Sequence, residues 1–354
     1  MILENISPLF FLIIKWTCMN KNVALVLSSG GARGISHIGA IEELESRGYT
    51  ITSISGTSMG ALIGGIYATG KLGIYSEWMC SLTKMDVFNL VDFTVNSSGI
   101  VKGNKIIREM KRMIPDTDIR DLNIPYSAVA TDVLTEKEVV FTSGSLYEAI
   151  RASISIPSVF IPFQLNGWQL IDGGVINPIP ANHVARTPSD ILVVVNLYSH
   201  ETHPVPGEVI EPPVSKRQLK YIEAIHEKIN HIIPKNSKDH IGYINLLQKT
   251  TSLMLSRIAD LSLKQYEPDI IIDIARNAYG TYEFYRSKEI IETGRAAAKI
   301  AIDRFENSSG KSWIDIDGAK LNDCYPQKKL PAFCSWWLWT GVWRCNFFVE
   351  IVKS

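Results

Sequence analysis

The chain has little cysteine and no surplus charge of either sign. Its five cysteines (Cys18, Cys80, Cys324, Cys334 and Cys345) are odd in number and scattered over 354 residues. No CxxC pair and no Cys/His cluster at zinc-ligand spacing occurs, so no metal site is read from the sequence and a reducing compartment is expected. Lys and Arg number 36 and Asp and Glu also 36. Without a basic excess or patch nothing supplies the phosphate-neutralising term that nucleic-acid binding needs, and no nucleic-acid partner is expected. No apolar run is long enough to cross a bilayer. The stretch from Ile6 to Cys18, with PLFFLII at Pro8 to Ile14, falls short of a span. It also lacks the flanks of a secretory signal, since Glu4 precedes it and Lys15 and Trp16 follow. Met19 stands just before the first strand, so residues 1–18 read as a mis-assigned start or an interfacial anchor. The expected location is the cytoplasm, with peripheral contact at a membrane; secretion is left open. A calcium loop is missing too, because Asp315-Ile316-Asp317-Gly318 is too short a match to D-x-D-x-D-G.

What is present is a core-forming composition, 46% hydrophobic and 20% charged, enough for one large α/β domain with additions. Asn22 to Ser28 is a short apolar run of the kind that forms a buried parallel strand. Gly34 to Arg47 follows with Ile35, Ile38, Ile41 and Leu44 at helical spacing, closed by Gly48. Ile51 to Ser55 predicts a second strand and Ser58 to Thr69 a small-residue helix that Gly70 ends. Strand, helix, strand, helix within about fifty residues is the doubly wound α/β pattern. Further along, Gly103 to Ile114 predicts an amphipathic helix with Ile106, Met110 and Met113 on one face and Lys105, Arg108, Lys111 and Arg112 on the other. Tyr126 to Val133 and Lys137 to Thr142 predict a hairpin or neighbouring strands, Ser145 to Ala152 a short helix, and Trp168 to Ile171 and Asp190 to Asn196 strands. The four prolines of His200 to Ser215 mark a loop. Lys216 to Leu263 reads as largely helical, Asp269 to Ile274 as a last strand and Ser287 to Phe305 as a last helix. The expected divisions are an N-terminal apolar extension (1–21), a catalytic core (22–200), its helical continuation with a last strand (201–306) and an irregular aromatic-rich tail (307–354). No internal repeat is found.

Three motifs carry chemistry. Gly56-Thr57-Ser58-Met59-Gly60 is a G-x-S-x-G elbow between a strand and a helix, a turn that pushes the serine hydroxyl out while the glycines allow backbone to pack closely. Ser29-Gly30-Gly31-Ala32-Arg33-Gly34, after the first strand, offers backbone N–H groups at a helix start, where a developing oxyanion is stabilised. A dinucleotide loop would need G-x-G-x-x-G spacing and an acidic residue after the second strand, and neither is there. Asp172-Gly173-Gly174 sets an aspartate at a strand end before two flexible residues, within reach of a serine hydroxyl.

In this order and spacing the motifs resemble the patatin-like phospholipase family, with its G-G-x-R-G oxyanion loop, G-x-S-x-G elbow and downstream D-G-G. The matching positions are Gly30, Gly31, Arg33 and Gly34, then Gly56, Ser58 and Gly60, then Asp172, Gly173 and Gly174; the resemblance covers about residues 22–196. It departs at Ser29, where the family usually has a third glycine. The resemblance implies a three-layer α/β fold with a mostly parallel central sheet flanked by helices. It implies a Ser–Asp dyad without histidine, in which Asp172 takes the proton of Ser58 and Ser58 attacks an ester carbonyl. Backbone amides around Gly30 to Ala32 would hold the oxyanion, with Arg33 bracing the loop or meeting a phosphate. It further implies a phospholipid, lysophospholipid or other acyl-lipid substrate, and no cofactor or metal.

Two other readings compete. Chain order Ser58, Asp172, then His183, His200 or His203 would also satisfy a Ser–Asp–His α/β-hydrolase, and His37 beside the oxyanion loop reads as structural. A catalytically silent, membrane-associated protein on the same fold is the other. Membrane contact is expected from the basic helix near Lys105 to Arg112, the N-terminal apolar stretch or the Trp-rich end from Cys334 to Trp343.

Overall fold

The computed structural model describes residues 21–200, apart from 97, 98 and 158, and residues 243–311. Two compact units are present, Met1–Phe305 and Glu306–Ser354; the first holds the whole sheet. The expectations for residues 1–20, for the proline-rich loop, for the helix before Tyr243 and for the Trp-rich end fall outside the described residues.

The chain opens with β1 (Asn22–Leu27), the glycine-rich turn, α1 (Ser36–Ser46), β2 (Thr50–Thr57) and α2 (Met59–Ala68). Two short helices follow, α3 (Leu72–Ser81) and α4 (Lys84–Asn89), then a small two-stranded ribbon of β3 (Phe93–Asn96) and β4 (Gly99–Val101), and α5 (Asn104–Met113). The second half brings β5 (Tyr126–Asp132), β6 (Lys137–Phe141), α6 (Leu146–Ser153), β7 (Phe163–Leu165), β8 (Trp168–Asp172), β9 (Ile191–Ser199), α7 (Tyr243–Tyr266), β10 (Ile270–Ala275) and α8 (Ser287–Lys311). The glycine-rich turn contains a 3₁₀ turn, Gly31–Ile35, so the first helix starts two residues later than the apolar spacing predicts. Gly48 and Gly70 close their helices in the left-handed conformation, as expected. The last helix corrects the sequence reading: it continues through 307–311, where an irregular tail is expected, because nothing there breaks it before Gly310.

Eight strands form one sheet in the order β10-β9-β1-β2-β5-β8-β7, with β6 on β5. The pairings from β10 to β5 are parallel and those of β6, β7 and β8 antiparallel. Along β1, alternate side chains serve opposite faces: Val23, Leu25 and Leu27 join one core, and Ala24 and Val26 the other. The first core is covered by α1, α2, α6 and α8, through residues such as Ile38, Ile63, Ile150 and Ile290. The second is covered by α7, through Ala259 with Leu255 and Leu263. Three layers with a mostly parallel sheet are what the sequence predicts.

One feature of the register positions the site. On one edge of β5, Ala128 and Val129 face β2, with Thr57 opposite Val129. On the same edge, Ala130 to Asp132 face β8, with Asp172 opposite Ala130. The other edge is taken throughout by β6, from Ala128 to Asp132. The C-terminal ends of β2 and β8 therefore meet head to head at successive residues of β5, and the residue after Thr57 is Ser58.

Helix α2 leaves this junction so tightly that a Cβ built on Gly60 would lie 2.1 Å from the Leu27 carbonyl oxygen. Gly60→Ala is expected to cost about 3 kcal/mol or more, because the clash is with backbone in a packed core. Urea unfolding of the two proteins measures it.

Candidate active site

Ser58 sits between β2 and α2 with φ 56° and ψ −122°, a region that side chains other than glycine rarely adopt. Such a conformation costs roughly 1–3 kcal/mol and persists only where the surroundings enforce it. Here the enforcement is visible. The Ser58 N–H donates to Ser153 Oγ at 2.8 Å, and the Ser153 hydroxyl donates to the Val129 carbonyl at 2.6 Å. The elbow is thereby tied to the residue of β5 at which β2 ends.

Asp172 reaches the same point from β8. Its N–H donates to the Ser155 carbonyl at 2.9 Å, and one carboxylate oxygen accepts the Gly174 N–H at 2.7 Å. The Ser58 hydroxyl is near enough to this carboxylate to favour its charged form. Both side chains are almost wholly buried. Burial pushes the Asp172 carboxyl up to about 6, against the Gly174 N–H and the Ser58 hydroxyl, which favour the charged form. At neutral pH it is thus an ionised base of raised strength, next to a hydroxyl.

The glycine-rich loop forms the neighbouring wall. Gly31 has φ +58° and a Cβ there would lie 2.8 Å from the Thr281 carbonyl oxygen, so glycine is required twice over. That same carbonyl accepts the Ala32 N–H at 2.9 Å. Arg33 braces the loop: its Nε donates to the Gly30 carbonyl at 3.2 Å, and Nη1 donates to the Arg276 carbonyl. Of the two roles weighed for Arg33, these contacts fit bracing. Gly34 packs on the elbow, where a Cβ would stand 2.3 Å from that of Met59. Gly56 and Gly173 likewise abut backbone, of Gly60 and Val129 respectively. At the position that departs from the family pattern, Ser29 Oγ is 2.5 Å from the Tyr198 hydroxyl, and a Cβ on Gly174 would lie 2.6 Å from that Oγ. The Ser29 side chain thus fills the space behind the Asp172 turn.

The histidines go elsewhere. His37 is fully buried, its Nε2 donating to the Ser28 carbonyl at 2.9 Å, and burial holds its imidazole down at about 4. His183 pairs with Glu138 at 2.5 Å and with Asn182. It lines a shallow cleft of about 300 Å³ with Ile119, Arg120 and Tyr126, beside the start of β5. His200 lies 3.3 Å from Ser256 Oγ, and His203 is outside the described residues. Among the described residues no histidine is hydrogen-bonded to Ser58 or Asp172.

With this geometry in view, comparison with known proteins is direct. The family model for patatin-like phospholipase matches residues 25–185, a range that holds all three motifs. An uncharacterized NTE family protein of Mycobacterium tuberculosis is 32% identical over 342 residues, covering 83% of this chain and 94% of its own length. This chain belongs to the patatin-like phospholipase family. The human patatin-like phospholipase domain-containing protein 6 is 32% identical over 188 residues, which are 51% of this chain and 14% of that protein. Among solved structures, VipD from Legionella pneumophila matches with a TM-score of 0.35 and 15% identity, over 80% of this chain and 67% of its own. Family membership makes the protein a lipid acyl hydrolase in broad class.

Several residues that hold this patatin-like site together are silent in the sequence. Ser153 and Ser155 are small polar residues at and just past the end of a short helix, and only the fold shows one gripping the elbow and the other the strand of Asp172. Asn177 is another: its N–H donates to the Gly173 carbonyl and its own carbonyl accepts from Thr57 Oγ1 at 3.0 Å. Of the surfaces expected to meet a membrane, the helix α5 has three of its four cations engaged locally among the described residues, all but Arg108. Arg112 pairs with Glu109, Lys111 with Asp116, and Lys105 donates to the Asn89 carbonyl. No described helix is long and apolar enough to cross a membrane.

Ser153→Ala leaves the Ser58 N–H buried without its acceptor. A loss of about 1–3 kcal/mol in stability is expected, measured by urea unfolding, together with slower turnover because the strained elbow relaxes.

Proposed function

We propose that the protein hydrolyses carboxylic ester bonds of phospholipids or lysophospholipids through a Ser58–Asp172 dyad and an acyl-enzyme intermediate. The observation that carries this reading is the meeting of β2 and β8 on one edge of β5. It brings Ser58 beside a buried aspartate, and among the described residues no histidine is hydrogen-bonded to either. Asp172 accepts the hydroxyl proton as Ser58 Oγ attacks the ester carbonyl, and then gives that proton to the departing alcohol. A water deprotonated by Asp172 attacks the acyl-serine, Asp172 returns that proton to Ser58 Oγ as the Oγ–acyl bond breaks, and fatty acid leaves. The tetrahedral oxyanion is held by loop amides. Since the Ala32 N–H is already given to Thr281, Gly30 and Gly31 are the candidate donors, and Ala32, Arg33 and Gly34 shape the loop. Residues 22–200 act as the catalytic core and 201–306 as its continuation, which supplies β10 to the same sheet. Reaching the substrate requires peripheral contact with a lipid surface.

The triad reading is disfavoured by the partners of His183 and His200. A silent protein is disfavoured by the strained backbone at Ser58, which has no use unless the hydroxyl reacts.

Hydrolysis of a short-chain nitrophenyl ester and of a phospholipid panel tests the proposal. Ser58→Ala and Asp172→Asn are each expected to lose on the order of 10⁴-fold in kcat/KM, while His183→Ala keeps near wild-type turnover. For wild type, kcat/KM should rise with pH and level off above about 6, since the base works only when ionised and its carboxyl lies near 6. A folded but dead His183→Ala protein would overturn the dyad.

A further inference from the structure

Helix α7 runs antiparallel to β9 across the second face of the sheet. Ser256 Oγ meets the Tyr198 carbonyl and His200 at the C-terminal end of β9. Past the end of the helix, the Asp269 N–H donates to the Leu192 carbonyl at the start of that strand. The inward face of α7, with Leu255, Ala259, Leu263 and Tyr266, covers the sheet. At 1.5 Å per residue the helix from Tyr243 to Ser256 therefore extends about 20 Å past the C-terminal end of β9. That end of the sheet is the one that bears the site, since Tyr198 touches Ser29 beside Asp172.

The outward face of α7 carries large apolar side chains in the open. Leu246, Leu253, Met254 and Leu261 are 52%, 57%, 61% and 51% exposed, and their spacing of i, i+7, i+8 and i+15 puts them on one stripe. Lys249, Arg257 and Lys264, also exposed, stand three or four residues from these side chains and alternate with them along the same face. No ion pair among the described residues holds any of the three, and the acid on that face is Asp260, half-buried. Apolar side chains also surface beside the site. Val175, next to the Asp172-Gly173-Gly174 turn, is 40% exposed, and Tyr282, next to the Thr281 that takes the Ala32 N–H, is 54% exposed.

We propose that the outward face of α7 docks on an anionic lipid surface. The helix lies in the headgroup plane with its leucines in the acyl boundary and its three cations on lipid phosphates and carboxylates. Leucines interleaved with cations that no described acid pairs, whose long stems let the charges reach the headgroups, fit a negatively charged interface. A protein partner of the same size would more often meet a face of mixed charge, and spanning is excluded for a helix of this polarity. The proposal gives the lipid-hydrolase reading the surface it needs, and rests on that reading only for its purpose.

Cosedimentation with vesicles tests it. The full-length Ser58→Ala protein is used, so that binding is read whether or not Ser58 is the nucleophile. It should pellet with phosphatidylcholine/phosphatidylserine vesicles, less with phosphatidylcholine alone, and less as salt rises. Lys249→Gln/Arg257→Gln/Lys264→Gln should weaken binding on the order of a hundredfold, and Leu253→Ser/Leu261→Ser should abolish it, with thermal melts showing all variants folded. Binding that survives both sets of substitutions overturns the proposal, as does a parent protein that never pellets. In the latter case analytical ultracentrifugation identifies the real occupant. A dimer dissociated by Leu253→Ser/Leu261→Ser assigns the face to a second copy, and an unchanged monomer assigns it to the chain's own residues 201–242.

Discussion

Strand β5 is shared by two strands that arrive from opposite directions along a single edge. β2 comes up in parallel and stops at Val129; β8 comes down antiparallel and stops at Ala130. Neither can continue without colliding with the other, so both chains must turn out of the sheet at the same place. One turn becomes the elbow with Ser58 and the other becomes the Asp172-Gly173-Gly174 turn. The glycines follow from this constraint: two backbones leaving one point, with a third from β1 beside them, leave no room for Cβ atoms at Gly60 or Gly173.

The cost of the arrangement is electrostatic as well as steric. Ionising a carboxyl at a buried position loses hydration that the Gly174 N–H and the nearby Ser58 hydroxyl only partly replace, and the Asp172 carboxyl is raised accordingly. A raised carboxyl is a stronger base, and in this geometry it meets the hydroxyl without an intermediary. Ser153, Ser155 and Asn177 act on the backbone around it rather than on the charge. They fix the two turns so that the strained serine and the desolvated aspartate stay in register. Substrate selection by a lipid surface fits the same end of the sheet, where α7 leaves its apolar side outward.

Much of this was legible in the residues. Short apolar runs ending in glycine gave β1 and β2, and the order loop, elbow, aspartate gave the family and singled out Ser58 and Asp172, which the fold brings to one place. What periodicity could not give was which strands meet. Nothing local in Trp168 to Asp172 says that it pairs with the upper half of β5 rather than an outer edge, because register depends on the whole sheet. Ser153 was invisible because a serine at the end of a short helix carries no signature until its neighbour in space is known. The Ala32 amide was assigned to the oxyanion loop along with its neighbours, yet its partner Thr281 lies about 250 residues away in sequence. Residues 307–311, expected to open an irregular tail, continue the last helix because intrinsic propensity at Asn and Ser is a weak brake on a helix already formed.

The most direct measurement is the pH dependence of covalent labelling by a fluorophosphonate, with the labelled residue identified by mass spectrometry, in wild type and in Asp172→Asn. A dyad predicts a single label on Ser58, a labelling rate that climbs as pH passes about 6, and almost no labelling once Asp172 is asparagine. A label on another residue, or a Ser58 that reacts as fast beside asparagine as beside aspartate, would contradict it.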